Sequence, residues 1–295
     1  MKLFSPLRCS LCAALCLSVF VSCSKQPNAT EIPAEPEKRS GILAYQESVN
    51  AVMERMEMHI AYDEAGERKT LRGSATMSKQ RFATVEHATN KMKRVHLRRW
   101  ARVHVAEITD SSIPRGNEVQ ESPLSNARLE ADRKEAGWRM RLTDRPETPE
   151  NIPALQELEK VESSNLLFYH GQTVREGESW QVPAPAVARW FGNDVADMTG
   201  SINLRVGGRE PVNEVACSVI DVEINTIGKM TDDQGKISNL ELIAKGKIWR
   251  AVELGEDLKV DINGTVKLSA KMAEQNAEVV IEGPIRITES RKLKG

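Results

Sequence analysis

The body of this chain has almost no cysteine. Four of the five cysteines (Cys9, Cys12, Cys16 and Cys23) lie before residue 24, and Cys217 stands alone in the rest of the sequence. An unpaired cysteine cannot form an intramolecular disulfide, so a disulfide-stapled scaffold is excluded even for an exported protein. In an apolar segment a free cysteine behaves as a small hydrophobe, so the first three need no function of their own.

The sequence also has no excess of charge of one sign. Lys and Arg number 41 and Asp and Glu number 42, a net charge of −1. Removing residues 1–22 takes away Lys2 and Arg8 and no acid, which leaves 39 basic against 42 acidic residues, a net charge of −3. This balance argues against nucleic acid as a partner.

Only one long apolar run is present, the uncharged stretch 9–22 that follows Lys2 and Arg8. It is shorter than the ~20 residues that span a bilayer, so we predict a cleaved export signal over 1–22. The run ends at Phe20-Val21-Ser22-Cys23, which resembles the lipobox of bacterial lipoproteins.

The resemblance to the lipobox implies that Cys23 carries a lipid that holds the protein to a bacterial membrane, at the outer membrane or cell surface rather than the inner membrane. The alternative is an ordinary secretory signal and a soluble secreted or periplasmic protein. Residues 24–41 contain three prolines and almost no large apolar residue, so 23–42 is predicted to be the lipidated cysteine and a flexible linker. The β-rich body, 43–295, is predicted as one unit or as two halves, 43–145 and 165–295, joined by a helical connection over 150–164.

The clearest pattern is an alternation of apolar and polar residues in the last third of the chain. It runs through 258–272, is preceded by the same rhythm at 240–254 and is followed by it at 279–287. A period of two is typical of strands with one face in a core and the other in water. We predict a mainly β (α+β) fold: a long-stranded antiparallel meander forming a coiled sheet or partly open barrel, with a few short helices. Because Pro284 has no N–H, the last strand is predicted to lie at an edge.

Two segments have helical spacing. Apolar side chains recur every three or four residues from Tyr45 to Ile60, which predicts an amphipathic helix that gives way to a strand near Met56. A second, short helix is predicted over 153–163, with proline in its first turn.

Three glycines lie midway along predicted strands, all on the apolar face: Gly246, Gly264 and Gly283. If turns at 255–257 and 273–276 place Leu254 opposite Leu258 and Met272 opposite Ala277, then Gly246 and Gly283 flank Val266. Such a row predicts a bend in a coiled sheet, and the alternative is close approach of a helix or ligand to the backbone.

The order of these elements, a lipobox followed by a helix, a hairpin and long alternating strands, resembles the periplasmic lipoprotein-carrier fold. That resemblance implies a partly open antiparallel barrel closed by helices. Separately, Gly177-Glu178-Ser179-Trp180 resembles the Gly-acidic-Ser-Trp turn of an uncharacterised family of exported β-rich bacterial proteins.

One local feature stands out, the stretch KMKRVHLRRWARVHV at 91–105, which has six Lys or Arg and no acid. Read as a strand, its outward row includes Arg94, Arg98, Trp100 and Arg102. This row predicts an anion-binding face for anionic lipid or acidic polysaccharide. The alternative is a solvated face whose charges are paired with acids elsewhere.

Motifs for catalysis and for metal binding are lacking. Ser179 has Gln181 where a G-x-S-x-G elbow needs glycine, and no pair of histidines has H-E-x-x-H spacing. We expect no catalytic residue, no metal and no cofactor. The predicted function is a lipid-anchored, non-enzymatic binding or structural module of the cell envelope, and the alternative is a carrier of a lipid or other apolar ligand in a half-open barrel.

Overall fold

The computed structural model of the chain describes residues 42–64, 66–88, 92–108, 116–134, 137–159, 168–169, 174–185, 195–231, 237–251, 253–272 and 276–294. The elements within them are β1 (Ile42–Glu64), β2 (Glu67–Ala88), β3 (Met92–Ile108), β4 (Gly116–Glu121), β5 (Arg128–Lys134), β6 (Gly137–Leu142), α1 (Ile152–Glu159), β7 (Ser179–Pro183), β8 (Val195–Val212), β9 (Val215–Thr231), β10 (Ile237–Ala251), β11 (Glu256–Met272) and β12 (Ala277–Leu293). The predicted signal, Cys23 and the spacer lie outside the described residues.

All twelve strands belong to one antiparallel sheet. Their order is β6-β5-β3-β2-β1-β12-β11-β10-β9-β8-β7, with β4 also paired to β3. This path does not return to its start, so the sheet is open. The predicted fold class, a mainly β protein built on a long-stranded antiparallel sheet that is coiled or partly open, is confirmed.

The C-terminal meander follows the alternation of the sequence. From β8 to β12 each strand pairs with the next, and buried and exposed residues alternate along β9 and β10. The short helix is also present as α1, with Pro153 in its first turn and Leu155 and Leu158 buried. It is described only as far as Glu159, so the predicted extension to residue 163 lies outside the described residues.

The predicted helix from Tyr45 is wrong, because this segment is part of the strand β1. A β-bulge at residues 54–55, where Arg55 has φ 50°, shifts the register between Met53 and Met56. Inward positions along β1 therefore step by three residues at the bulge and by two elsewhere. The interval of four from Tyr45 to Val49, across the inward Glu47, and the interval of three from Met53 to Met56, at the bulge, imitate helical spacing.

The prediction that the last strand is an edge is also wrong. β12 lies in the middle of the sheet, between β1 and β11. Its pairing with β1 is interrupted opposite the β1 bulge, because Met53 pairs with Ile285 and Glu57 with Glu282, which leaves Gly283 and Pro284 without a partner on β1. A proline is tolerated inside a sheet at such a break, where its missing N–H removes no ladder hydrogen bond.

The β10–β11 hairpin closes earlier than the sequence predicts. Ala251 pairs with Glu256 and Arg250 with Asp257, and a register shift follows at Trp249. Gly246 is consequently opposite Ile262, and the predicted pairing beside Val266 is wrong on this side, whereas Gly283 does pair with Val266. The three glycines form a diagonal across β10, β11 and β12.

At the glycine diagonal, the backbones of neighbouring strands leave no room for a side chain. A Cβ placed on Gly264 would lie 2.2 Å from the carbonyl oxygen of Ile243, and one on Gly246 would lie 2.1 Å from that of Asp261. Both oxygens belong to neighbouring strands. Because these atoms belong to the sheet itself and not to a helix or a ligand, they favour the bend interpretation of the glycines.

One face of the sheet, here called the inner face, carries two large apolar clusters. The first spans β8 to β12 with the middles of β1 and β2, and Phe168, Tyr169, Val174 and Val182 pack on it. The second joins the start of β1, the end of β2, β3 and β5, and the side chains Leu155 and Leu158 of α1 pack on it.

Candidate functional site

A row of charged side chains crosses the inner face between the two apolar clusters. We call it the charged band, and its members are Arg81 of β2, Glu47 of β1, Glu289 and Arg291 of β12, Glu256 and Asp257 of β11, and Arg250 of β10. Along β1, Tyr45 belongs to one cluster, Glu47 to the band, and Ala51 and Met53 pack against the other cluster. Along β1, the inner face is therefore apolar at one end, charged at Glu47 and apolar again beyond it.

Arg291 is the centre of the band. Its Nη1 lies 2.6 Å from Glu256 Oε2, its Nη2 2.6 Å from Glu289 Oε1, and its Nε donates to Glu47 Oε1 at 3.3 Å. The contact with Glu289 is an ion pair whose angles depart from hydrogen-bond geometry. The guanidinium also lies 5.3 Å from the ring centre of Tyr45.

Three carboxylates around one guanidinium make an acid-rich centre. Burial, together with the neighbouring acids Glu47 and Asp257, raises the pKa of the Glu289 carboxyl, although Arg291 and Arg81 act in the opposite direction. Burial likewise raises the pKa of the Tyr45 hydroxyl well above its usual value. Burial disfavours the charged form of both groups because a charge loses its hydration away from water.

Arg250 and Asp257 form the most buried pair of the band. Arg250 Nη1 donates to Asp257 Oδ1 at 2.8 Å, and the Tyr169 hydroxyl donates to the same oxygen at 3.1 Å. The Arg250 guanidinium lies 4.1 Å from the centre of the Tyr169 ring. Nearby, Trp180 Nε1 donates to the Phe168 carbonyl at 2.6 Å. These contacts fix Phe168 and Tyr169 on the first apolar cluster.

At the other end of the band, Arg81 has an ion pair and a free donor. Its Nη2 donates to Glu47 Oε2 at 3.0 Å, and its side chain is 25% exposed whereas that of Glu47 is 5% exposed. The Arg81 Nε–H is buried and has no acceptor in the part of the chain that the structure describes. A buried donor without a partner costs free energy, typically ~1–3 kcal/mol.

A half-enclosed cavity of about 60 Å³ lies beside Arg81. Eight apolar side chains line it, from β2, β3, β5, β6 and α1, and Glu47 and Arg81 form its polar end. Leu158 of α1 and Trp138 of β6 are among the apolar residues. The cavity is smaller than the ~300 Å³ of a typical small-molecule site and has room for a few water molecules or a few carbons of a chain.

The residues of the predicted anion-binding face do not form one row. Phe82 pairs with Arg99 and Ala83 with Leu97, so a bulge at Arg98 reverses the facing of the rest of β3. Trp100 therefore packs against the second apolar cluster, and the prediction that it faces outward is wrong. Arg102 turns to the same side, where its Nη2 lies 3.6 Å from Glu157 of α1.

Three other cations of this stretch whose side chains the structure describes, Arg94, Arg98 and Arg99, are exposed. Arg94 Nε lies 3.8 Å from Glu130 Oε1. Arg99 Nε lies 3.2 Å from Glu121 Oε1. Acids of neighbouring segments therefore contact Arg94, Arg99 and Arg102. The side chains beyond Arg102 in this strand lie outside the described residues.

The structure also describes Cys217 and the turn that leads to β7. Cys217 is 1% exposed, and burial raises the pKa of its thiol. Gly177 has φ 83° in the turn that leads to β7, and Trp180, the second residue of that strand, is partly buried.

Among the described residues, no three His, Cys, Asp or Glu side chains are grouped to hold a metal, and no helix is long and apolar enough to cross a membrane.

The charged band itself was not predicted from the sequence. The one available signal was Arg250, which interrupts an otherwise apolar alternation. Its inward position becomes meaningful only opposite Asp257, and that pairing depends on the hairpin register. Glu47 was hidden by the helical interpretation of β1.

Comparisons with known proteins give fold neighbours of low similarity. No family model and no curated protein matches the sequence. Among solved structures, a lipovitellin structure described for its lipid–protein interactions has a TM-score of 0.41 and 13% identity over 87% of this chain, and this chain spans 25% of that one. A DUF1329 family protein from Desulfovibrio piger has a TM-score of 0.14 and 10% identity, covering 80% of this chain and 82% of that one. At these scores the function has to be argued from this chain's own residues.

Proposed function

We propose that this chain is an exported, lipid-anchored protein of a bacterial cell envelope that binds an apolar or amphipathic ligand and catalyses no reaction. The observation that supports ligand binding is the cavity under α1, which has apolar walls and a polar end at Glu47 and Arg81. Binding sites for small molecules are mostly apolar with a few placed polar groups, and this lining has that composition.

The open sheet supports the same proposal. Its path ends at β6 and β7 rather than closing, and β6 contributes Trp138 and Met140 to the cavity wall. The short helix α1 contributes Leu158 to the same cavity wall. A ligand larger than about 60 Å³ is accommodated by displacement of α1 and β6, the two peripheral elements of the wall.

The test uses Trp138 as a reporter. Octanoate brominated at its terminal carbon should quench the fluorescence of the purified full-length chain, because the bromine comes close to the indole. In Trp138→Phe the quenching should fall, with any remainder coming from Trp100 of the same apolar cluster, whereas in Trp249→Phe, at a different apolar cluster, it should be unchanged.

A cavity-filling variant separates this site from the rest of the inner face. Ala83→Leu adds three carbons to the cavity wall and should abolish the quenching. Ala51→Leu adds the same atoms beside the first apolar cluster, across the charged band, and should leave the quenching unchanged. Quenching that survives Ala83→Leu would contradict the proposed site.

A further inference from the structure

We infer that the ligand of this cavity carries an anionic oxygen, a carboxylate or a phosphate, that accepts a hydrogen bond from Arg81 Nε. The inference rests on the proposed function, since it names the chemical class of the ligand at the same site. Two features of the described residues carry it: the position of Arg81 and the incomplete pairing of its guanidinium.

Arg81 is placed at the boundary between the cavity and the band. It lines the cavity together with Ala83 and Val85, which follow it on the same face of β2. Its guanidinium therefore meets apolar walls on one side and Glu47 on the other. A ligand whose chain lies along the apolar walls brings its head group to Arg81.

The guanidinium is only partly satisfied. Glu47 occupies Nη2 at 3.0 Å, and the buried Nε–H has no acceptor among the residues that the structure describes. Arginine binds a carboxylate or phosphate by presenting parallel N–H donors, and an anionic oxygen is the strongest acceptor for such a donor. A neutral hydroxyl would satisfy the same N–H with a weaker bond.

Arg81 shares its carboxylate partner with Arg291. Glu47 is shared, because its second oxygen accepts from Arg291 Nε at 3.3 Å. Arg291 also contacts Glu256 and Glu289, which do not line the cavity. Arg81 therefore has an ion pair with one carboxylate that it shares, and it also lies close enough to Glu289 to lower the pKa of that carboxyl.

The experiment compares four ligands with the same chain and different heads: octanoate, octyl phosphate, octanol and octyltrimethylammonium. Calorimetric titration uses the full-length chain with Cys23→Ser, so that no detergent competes. One or both anions should bind about tenfold or more tightly than octanol, since a hydrogen bond to a charged group contributes ~1.5–3 kcal/mol. The cation should bind most weakly. A preference for octanoate indicates a fatty-acid-like ligand, and one for octyl phosphate a phospholipid-like ligand.

Two variants of Arg81 test whether this residue causes the preference for anionic ligands. Arg81→Gln should reduce the affinity for the anions to that of octanol, and Arg205→Gln on the exposed side of β8 should change nothing. Because Arg81→Gln also leaves Glu47 with one partner fewer, Arg81→Lys serves as the second variant. It keeps the ion pair, removes the Nε–H, and should lose the anion preference while remaining folded.

The outcomes separate the two proposals. Equal affinity for octanol and both anions, or an unchanged preference in Arg81→Lys, would overturn the inference and leave the apolar-ligand function standing. If no octyl compound binds, the proposed function itself fails.

Discussion

Arg291 shows how this protein keeps several charges inside a β-sheet core. It contacts three carboxylates, and its side chain is only 15% exposed. Taking charges out of water is costly, and a buried ion pair offsets this cost only when its geometry is good. The band is therefore weak evidence for stability, but loss of a single partner leaves an uncompensated charge, which typically costs ~3–5 kcal/mol. We therefore expect a substitution of one band residue to be destabilising, and a paired substitution that removes one positive and one negative charge to be tolerated better.

Glu289 gives a prediction about pH. Its pKa in the folded chain is raised above the usual 4.5, first by burial and then by Glu47 and Asp257, against Arg291 and Arg81. Because the folded state then holds this proton more tightly than the unfolded state does, the stability it contributes is complete below the unfolded pKa and is lost as the pH rises through the folded pKa.

Glu289→Gln removes this titration. Urea unfolding over a series of pH values from 4 to 8 should therefore show a smaller loss of stability with rising pH in the variant than in the wild type. The comparison is made as a difference, because Asp63 and Asp197, whose pKa values are lowered by Arg68 and by Lys229, gain stability with rising pH in both proteins. Parallel curves would show that Glu289 is ionised throughout.

At the scale of elements, the sequence predicts strands well wherever apolar and polar residues simply alternate. β9 to β12 have this pattern, and their pairing order follows from short turns between consecutive strands. β1 and β3 each contain a bulge, at residues 54–55 and at Arg98, which changes the side that every later residue faces. A bulge has no reliable signature in a single sequence, so the facing of Trp100 and the identity of β1 as a strand could not be predicted.

The charged band depends on the register between strands even more strongly than the strands themselves do. Arg81, Glu47 and Arg291 are separated by up to 244 residues and meet only because β2, β1 and β12 are neighbours in the sheet. Each residue alone looks like a solvated charge. The sequence could therefore predict an apolar inner face but not the band that crosses it.

The bend of the sheet gives a prediction for Gly264. A methyl group at this position would lie 2.2 Å from a carbonyl oxygen of β10 and 2.5 Å from the Ala244 Cβ, so the strands must separate. We expect Gly264→Ala to destabilise the fold by ~1–3 kcal/mol, the usual cost of overpacking. Thermal or urea unfolding measures the change.

Gly208 provides the matched control for Gly264→Ala. It also lies within a strand, β8, but a Cβ there has no heavy atom within 4 Å. Gly208→Ala should be neutral or slightly stabilising, because alanine is less flexible than glycine in the unfolded chain. Equal effects at the two positions would mean that the sheet relaxes around residue 264 and that the glycine diagonal does not set its curvature.

At the scale of the whole molecule, the proposed ligand cavity lies near the end of the body to which the predicted anchor connects. β1 begins at Ile42, and Tyr45, close to its start, packs in the same apolar cluster as α1. Residues 24–41 form an 18-residue spacer in the sequence. At ~3 Å per residue an extended spacer reaches roughly 50 Å. The proposed anchor would thus keep the cavity within reach of the membrane, from which an amphipathic ligand could be taken.

The anchor itself is tested by Cys23→Ser. Lipid attached to this cysteine would bury several acyl chains at ~0.8 kcal/mol per methylene, far more than one chain provides, so its loss should move the protein from the membrane fraction to the soluble fraction. Cys217→Ser is the control, because it makes the same substitution at a cysteine that is buried within the fold and should leave the protein in the membrane fraction. Labelled palmitate should enter the wild type and Cys217→Ser and be absent from Cys23→Ser. If Cys23→Ser is still cut after residue 22 and yet remains with the membranes after a high-salt wash, the lipid is not the anchor.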